Sequence, residues 1–261
     1  MARRRRSSRR RGGGGKTALG AVLIVLALAG FGGLGWLLWD RAQAPGIDAA
    51  TLCPEDGPVG HLAILIDTTD PISPAQLRAA RARIARMIEA APDFTRVSLA
   101  TVAPAAAPVR SLCKPPSDAS ALTANPRLVA ERYEDEFLAP VTETLDGLLA
   151  VPEADSSPII EALQAFLAAI PGFDSGPRQV VLVSDLVQHS EIFSFYRGGD
   201  WDSFRASGAA DRLARSLDGA EVTILRFPRP AAPSATVDDF WVRYLDAQGA
   251  VRVVPTTLGD L

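Results

Sequence analysis

Lysine is almost missing from this 261-residue chain: Lys16 and Lys114 are the only two. Chemistry that sets a lysine beside catalytic carboxylates therefore has very little to draw on. Histidine and cysteine are equally scarce, with two of each. His61 and His189 are too scattered to join Cys53 and Cys113 in a soft-ligand metal site, which wants four such groups close together. No internal repeat is visible, and acidic side chains are absent from the first 17 positions. Disorder is excluded as a general state, because 48% of the residues are hydrophobic and 22% are charged, the balance of a globular protein.

The charge that is present is unevenly spread. Arg3 to Arg6, Arg9 to Arg11 and Lys16 put eight positive charges before residue 18. Setting those eight aside leaves 19 of the 27 basic residues against 30 acidic ones, so the remainder carries a formal −11. Between basic tail and acidic body lies "ALGAVLIVLALAGFGGLGWLLW", residues 18–39, uncharged throughout. Roughly 20 apolar residues suffice to cross a bilayer core. A cleaved signal peptide is the competing reading, but its apolar core spans only ~7–15 residues. Trp36 and Trp39 close the run as interfacial aromatics do. The run is thus expected to be an uncleaved single-pass anchor. Arginine-rich flanks stay on the cytoplasmic side. The amino terminus is then cytoplasmic and the body extracytoplasmic, which means inner membrane and periplasm in a bacterium. The expected organisation is a basic tail (1–17), a transmembrane helix (18–39), a linker (40–60) and one domain (61–261). Outside the cytoplasm an even cysteine count reads as a disulfide, here Cys53 with Cys113.

Two features of the tail carry less than they promise. "GGGGKT", residues 12–17, looks like the end of a phosphate-binding loop. The motif needs a further glycine five positions before Gly15, where Arg10 stands, and no strand precedes it. The arginine run has the charge to bind anionic lipid or nucleic acid. It is already accounted for as an orientation signal, and no nucleic acid is expected as a partner.

Along the body, strands and helices alternate. Strands are expected at 62–66, 96–102, 109–112, 178–186, 221–227 and 250–254. Helices are expected from Pro74, across 126–150 with a break near Pro140, and over 153–170, 202–217 and 236–246. Leu77, Ile84 and Ile88 recur on one face of the first body helix, with arginines on the other. The short connection "APAAAP" between the second and third strands suits an antiparallel hairpin rather than a crossover. This order predicts an α/β fold: an open, mostly parallel sheet with helices on both faces, Rossmann-like in architecture. The segment "RQVVLVSDL" is nearly continuous in apolar residues, as a strand covered on both sides should be.

Ligands of such sheets sit beyond the carboxyl ends of the strands, near the point where strand order reverses. Two apolar strands reach an aspartate there: Asp67 in "HLAILIDTTDPIS" and Asp185 in "VVLVSDL". Carboxylates and hydroxyls at the end of a buried strand are costly unless something pairs with them. Asp67, Thr69, Ser156 or Ser157, and Asp185 form a set of hard oxygen donors suited to magnesium, manganese or calcium. In these residues the chain resembles the von Willebrand factor A domain with its metal-ion-dependent adhesion site. That site uses an Asp-x-Ser-x-Ser loop after the first strand, a threonine before a central helix, and an aspartate after the fourth strand. Asp67 matches the first position and Thr69 the second. The third falls on Pro71, which has no side-chain oxygen. Ser157 matches the threonine, with Ala162-Leu163 following, and Asp185 matches the last aspartate, with Leu186 where a glycine often stands. The resemblance covers about residues 61–254. It implies a degenerate site of Asp67, Thr69, Ser157 and Asp185, a divalent cation (Mg2+, Mn2+ or Ca2+), and a partner protein whose carboxylate completes the coordination.

Three other readings stand beside this one. Asp67 and Asp70 are placed to cap the helix starting near Pro74, and Ser156 and Ser157 to cap the next. A metal-free structural subunit of a membrane-associated assembly would use the same surface without a cation. A metal-dependent phosphohydrolase of the haloacid-dehalogenase type would need a second acid two residues after Asp67, where Thr69 stands, so no enzyme is expected. Ser190, His189 and Asp185 are too close in sequence for a catalytic relay. The metal and capping readings diverge in one respect. On the metal reading, Asp67→Ala or Asp185→Ala should abolish a metal response at little metal-free cost. On the capping reading both should lose stability outright.

Overall fold

The computed structural model describes residues 14–42, 46–103, 109–117, 125–150, 153–228 and 234–258. The arginines of the tail, most of the "APAAAP" connection and most of the "RPAAPSA" loop lie outside the described residues. The chain divides into two units, Met1–Gly46 and Ile47–Leu261. The first contains one helix, α1 (Gly14–Ala42), of 29 residues. Its described apolar side chains are all exposed, from Val22 and Leu23 through Phe31 to Trp36 and Trp39. Among the described residues, no helix is long and apolar enough to cross a membrane; side chains of α1 are described for only part of its length.

The second unit is a six-stranded sheet with helices on both faces. Its elements are β1 (Gly60–Ile66), α2 (Pro74–Ala90), β2 (Thr95–Thr101), β3 (Arg110–Cys113), α3 (Pro126–Arg132) and α4 (Ala139–Leu149). There follow α5 (Ile159–Ala169), β4 (Arg178–Ser184), α6 (Trp201–Ala206), α7 (Ala209–Arg212), β5 (Ala220–Arg226), α8 (Ser234–Ala247) and β6 (Arg252–Thr257). Spatial order is β3-β2-β1-β4-β5-β6. Every pair is parallel except β2–β3, an antiparallel hairpin as the short connection demanded. The chain builds outward from β1 through β2 and β3, then returns to lay β4, β5 and β6 on the other side. Strand order therefore reverses between β1 and β4.

Alternation along the central strands supplies two cores. Leu62, Ile64 and Ile66 of β1 face α2 and α4, joining Val97, Leu99, Ile84, Val141 and Leu145. Ala63 and Leu65 face the other way, toward Leu163 and Phe166 of α5 and Phe240, Trp241 and Tyr244 of α8. Both faces being covered, the strand side chains need no polar alternation.

Several local expectations are replaced by other devices. The cap of α2 is Ser73, whose hydroxyl accepts from the Gln76 amide while the Gln76 side chain accepts from the Ser73 amide. The carboxylate of Asp67 is engaged elsewhere. The break expected near Pro140 is absorbed by a π-helical turn, Tyr133–Leu138, in which the Ala139 amide reaches back to the Glu134 carbonyl. A wider turn gives the proline ring room and makes its missing N–H harmless. The helix expected over 202–217 is two short pieces, α6 and α7, separated by Gly208 at φ +71°. Helix α5 takes no cap from Ser156 or Ser157. The Gln188 side chain, from the loop after β4, accepts from the Ile160 amide at 2.9 Å instead.

The disulfide Cys53–Cys113 is present, with a Cα–Cα distance of 4.8 Å. Cys113 pairs with Arg96 near the start of β2. Asp67 follows Ile66, which pairs with Thr101 at that strand's end. Bridge and aspartate thus lie at opposite edges of the sheet, roughly 17 Å apart at ~3.3 Å per strand residue. At the disulfide edge, the buried Lys114 closes the carboxyl end of α2 through the Glu89 and Ala91 carbonyls, at 2.6 and 2.7 Å. His61 is buried there too, its ring edge-on to Phe173 at 5.6 Å between centroids. Burial, and next the charge of Arg96, hold its pKa below the ordinary histidine value.

Candidate functional site

Beyond the carboxyl ends of β1 and β4, at the strand-order reversal, three loops converge on Asp67. Its backbone extends the sheet by one bond, the Asp67 amide donating to the Val183 carbonyl at 2.8 Å. Its side chain is 5% exposed. One carboxylate oxygen, Oδ1, accepts from the Thr69 hydroxyl at 2.6 Å and the Thr69 amide at 3.1 Å. The other, Oδ2, accepts from Ser184 at 2.8 Å and Ser157 at 3.1 Å. Four donors from three loops thus meet one buried carboxylate. Hydrogen bonds to an ionised acceptor are the stronger kind, and they offset the desolvation that such a position would otherwise cost.

The loops are also tied to one another. Ala154 donates to the Thr69 carbonyl at 2.9 Å. Ser157 and His189 exchange both backbone bonds, each at 2.8 Å. Ser184, after serving Asp67, accepts from the Leu186 amide at 2.8 Å. Asp185, buried and next in the chain, accepts from the Val187 amide at 2.9 Å. Leu186 has φ +69°, a left-handed conformation that costs a non-glycine residue roughly 1–2 kcal/mol. It is held there by burial of its side chain and by Trp241, whose indole donates to its carbonyl at 2.8 Å. The position where the resemblance expected glycine therefore keeps the glycine-type backbone with a different residue.

Of the four residues expected at the site, Asp67, Thr69 and Ser157 are brought into one hydrogen-bonded cluster. Asp185 adjoins it as the residue after Ser184. Ser184 and Gln188 are the two members that sequence reasoning passed over. Ser184 carried one signal, as the single hydroxyl of β4, at the end of the apolar run "VVLV" and directly before Asp185. Gln188 carried none, because its role depends on a helix 28 residues away in sequence.

Among the described residues, no group of three or more His, Cys, Asp or Glu is placed to hold a metal ion. The tip offers a different donor set: two carboxylates and three hydroxyls, all hard oxygens, with the Thr68 hydroxyl also buried and lacking a hydrogen-bond partner. That set fits a small hard dication in kind. Coordination by Thr69 and Ser157 would use their oxygen lone pairs, which point away from the protons now given to Asp67.

No family model and no curated protein matches the chain. Solved structures overlap it weakly. An aerotolerance-related membrane protein from Bacteroides fragilis matches at 11% identity over 76% of this chain and 91% of its own, with a TM-score of 0.42. The protein BatB from Bacteroides thetaiotaomicron matches at 12% identity over 77% and 91%, with a TM-score of 0.39. The SpRpn10 VWA domain matches at 12% identity over 78% and 90%, with a TM-score of 0.41. At that level of overlap the architecture rests on this chain's own strand order and register, not on its neighbours.

Proposed function

We propose that the chain is a single-pass membrane protein whose extracytoplasmic body is a von Willebrand factor A-like domain that binds a partner protein at its acidic tip. The observation that carries the reading is the convergence of three loops on Asp67 at the strand-order reversal, where open parallel sheets bind their ligands. Asp67, Thr69, Ser157 and Asp185 would hold a divalent cation, magnesium, manganese or calcium. When bound, the cation supplies a positive, Lewis-acidic contact for a carboxylate of the partner. The protein's own residues position that contact: Asp67 gathers the loops, and the Ser157–His189 bridge fixes the central loop against the one after β4. No catalytic role is assigned. Lys114 is spent on the end of α2, at the edge of the sheet opposite the tip.

The anchor reading is supported by the uncharged run 18–39, which falls wholly within α1. At ~1.5 Å per residue it is about 33 Å long, against a hydrocarbon core of about 30 Å. A helix apolar on all sides is found in a core or a bilayer, not in water. Its amino end would be cytoplasmic. An added surface cysteine tests this. A cysteine introduced at the exposed Arg83 position should react with a membrane-impermeant thiol label in cells with a permeabilised outer membrane, while the buried Cys53 and Cys113 stay silent; labelling confined to lysed cells would reject it.

A second reading is favoured by one feature of the tip. Asp67 already has four donors, which is as many as a carboxylate accepts comfortably. A metal-free structural subunit would need nothing more. Thermal unfolding of the full-length protein separates the two, because a ligand that binds only the folded state raises Tm with its concentration. The cation reading expects a rise with at least one of magnesium, manganese and calcium that Asp185→Asn abolishes. An unmoved Tm in all three would leave the structural subunit.

A further inference from the structure

The amino-terminal ends of the parallel strands, at the edge opposite the tip, carry an exposed apolar surface. Of the six large hydrophobic side chains exposed in the body among the described residues, three lie near this edge: Ile47, Val59 and Val251, at 46%, 50% and 67%. Val59 directly precedes β1, and Val251 directly precedes β6. Both line one open groove of about 480 Å3, together with the exposed Pro92 and Pro177. Ile47 is bridged to Pro54, next to the disulfide that fixes this edge. The other three, Leu128, Tyr196 and Val242, are dispersed over α3, the loop after β4 and α8. Single exposed apolar residues are ordinary, whereas a group gathered at one edge marks a contact.

Chain connectivity selects what covers this edge. Residues 43–46 alone separate the end of α1, Ala42, from Ile47, where the body begins. Fully extended, that tether reaches at most about 18 Å. We propose that this edge docks on the bilayer surface, with Val59 and Val251 entering the boundary between headgroups and acyl chains. The proposal rests on the reading of α1 as a membrane anchor, and gives the body a second, lipid-facing surface. A tether that short keeps the edge it enters beside the membrane, so a weak apolar contact is made at high effective concentration. Exposed charges at the edge are of both signs, Asp93, Asp218 and Glu221 against Arg252. Attraction to anionic headgroups therefore contributes little, and the contact is apolar.

The test uses full-length protein in phosphatidylcholine vesicles that contain a lipid with a nitroxide near the headgroup end of its acyl chain. A bimane label sits on one added cysteine, at Val59, at Val251 or, beside the tip, at Glu191. The native pair is bridged and stays unlabelled. Labels at 59 and 251 should lose at least half their emission to the nitroxide, and the label at 191 almost none, whether or not phosphatidylglycerol is added. Val251→Asp, at an exposed position, should at least halve the quenching at 59 while leaving Tm unchanged. Equal emission with and without nitroxide at 59 and 251, in protein that alkaline carbonate leaves in the vesicles, would overturn the docking alone. Protein that carbonate extracts would overturn the anchor, and the docking with it. Labels shielded from aqueous iodide yet untouched by the nitroxide would assign the edge to a protein contact, a second copy included, and overturn the proposal too.

Discussion

Asp67→Ala should destabilise the body by about 4 kcal/mol even with no metal in solution. The substitution leaves the hydroxyls of Thr69, Ser157 and Ser184 and the amide of Thr69 without their shared acceptor. A buried donor left unpaired costs about 1–3 kcal/mol, and removing the charged member of a buried set costs about 3–5. Partial re-pairing among the hydroxyls keeps the total below a simple sum. Asp67→Asn should cost less, about 1–2 kcal/mol, since its carbonyl still accepts and the hydroxyls can turn to receive its amide. Urea unfolding reads both as a fall in midpoint at unchanged slope. A loss under about 1 kcal/mol for alanine would mean that Asp67 does not organise the three loops. With four donors on its buried carboxylate, Asp67 is expected to matter to the fold whatever else it does, so alanine there should not be silent without metal.

Removing the disulfide should be as costly, at the opposite edge of the sheet. Cys53 and Cys113 are separated by 60 residues in sequence. Closing a loop of that size stabilises a fold by about 4 kcal/mol on the chain-entropy model. For a unit of this length that corresponds to a fall in Tm of roughly 10 °C. The bridge also anchors the segment before β1, where the Cys113 amide donates to the Thr51 carbonyl at 2.8 Å. Cys53→Ser with Cys113→Ser should show this fall in a thermal scan while the metal response of the tip survives, because the two regions lie at opposite ends of the strands. A change of only a degree or two would show that the segment 47–59 holds without its covalent tie. Loss of tip function at unchanged stability would refute the division of labour between the two edges.

The architecture was legible because burial on both faces leaves a plain mark. "HLAILI" and "RQVVLVS" have few places to go except the middle of a parallel sheet, and their aspartates then share one edge. The hairpin followed from the shortness of its connection, and the bridge from the register that carries Cys113 to the start of β2. Less visible were features settled by distant contacts. Ser156 and Ser157 look like caps in isolation, yet Ser157 turns to Asp67, and Gln188 caps the helix from another loop. Asp67 looks like a cap too, but Ser73 and Gln76 close the amino end of α2 by a local exchange while Asp67 turns to the other loops. The 202–217 stretch has helical periodicity throughout, and Gly208 in a left-handed conformation divides it. Leu186 is the least readable of all. Its positive φ is imposed by the tip and by Trp241, with no glycine to announce it.

The cation at the tip is tested most directly by manganese itself. Mn2+ titrated into full-length protein in nanodiscs, followed by electron paramagnetic resonance, reports free ion by its solution signal and bound ion by loss of that signal. The account predicts saturable loss of signal equivalent to a single ion per chain, competed by magnesium or calcium and absent in Asp185→Asn, whose side-chain carbonyl can still accept from the Val187 amide. A solution signal that follows the added manganese in the parent, with none taken up, would contradict it.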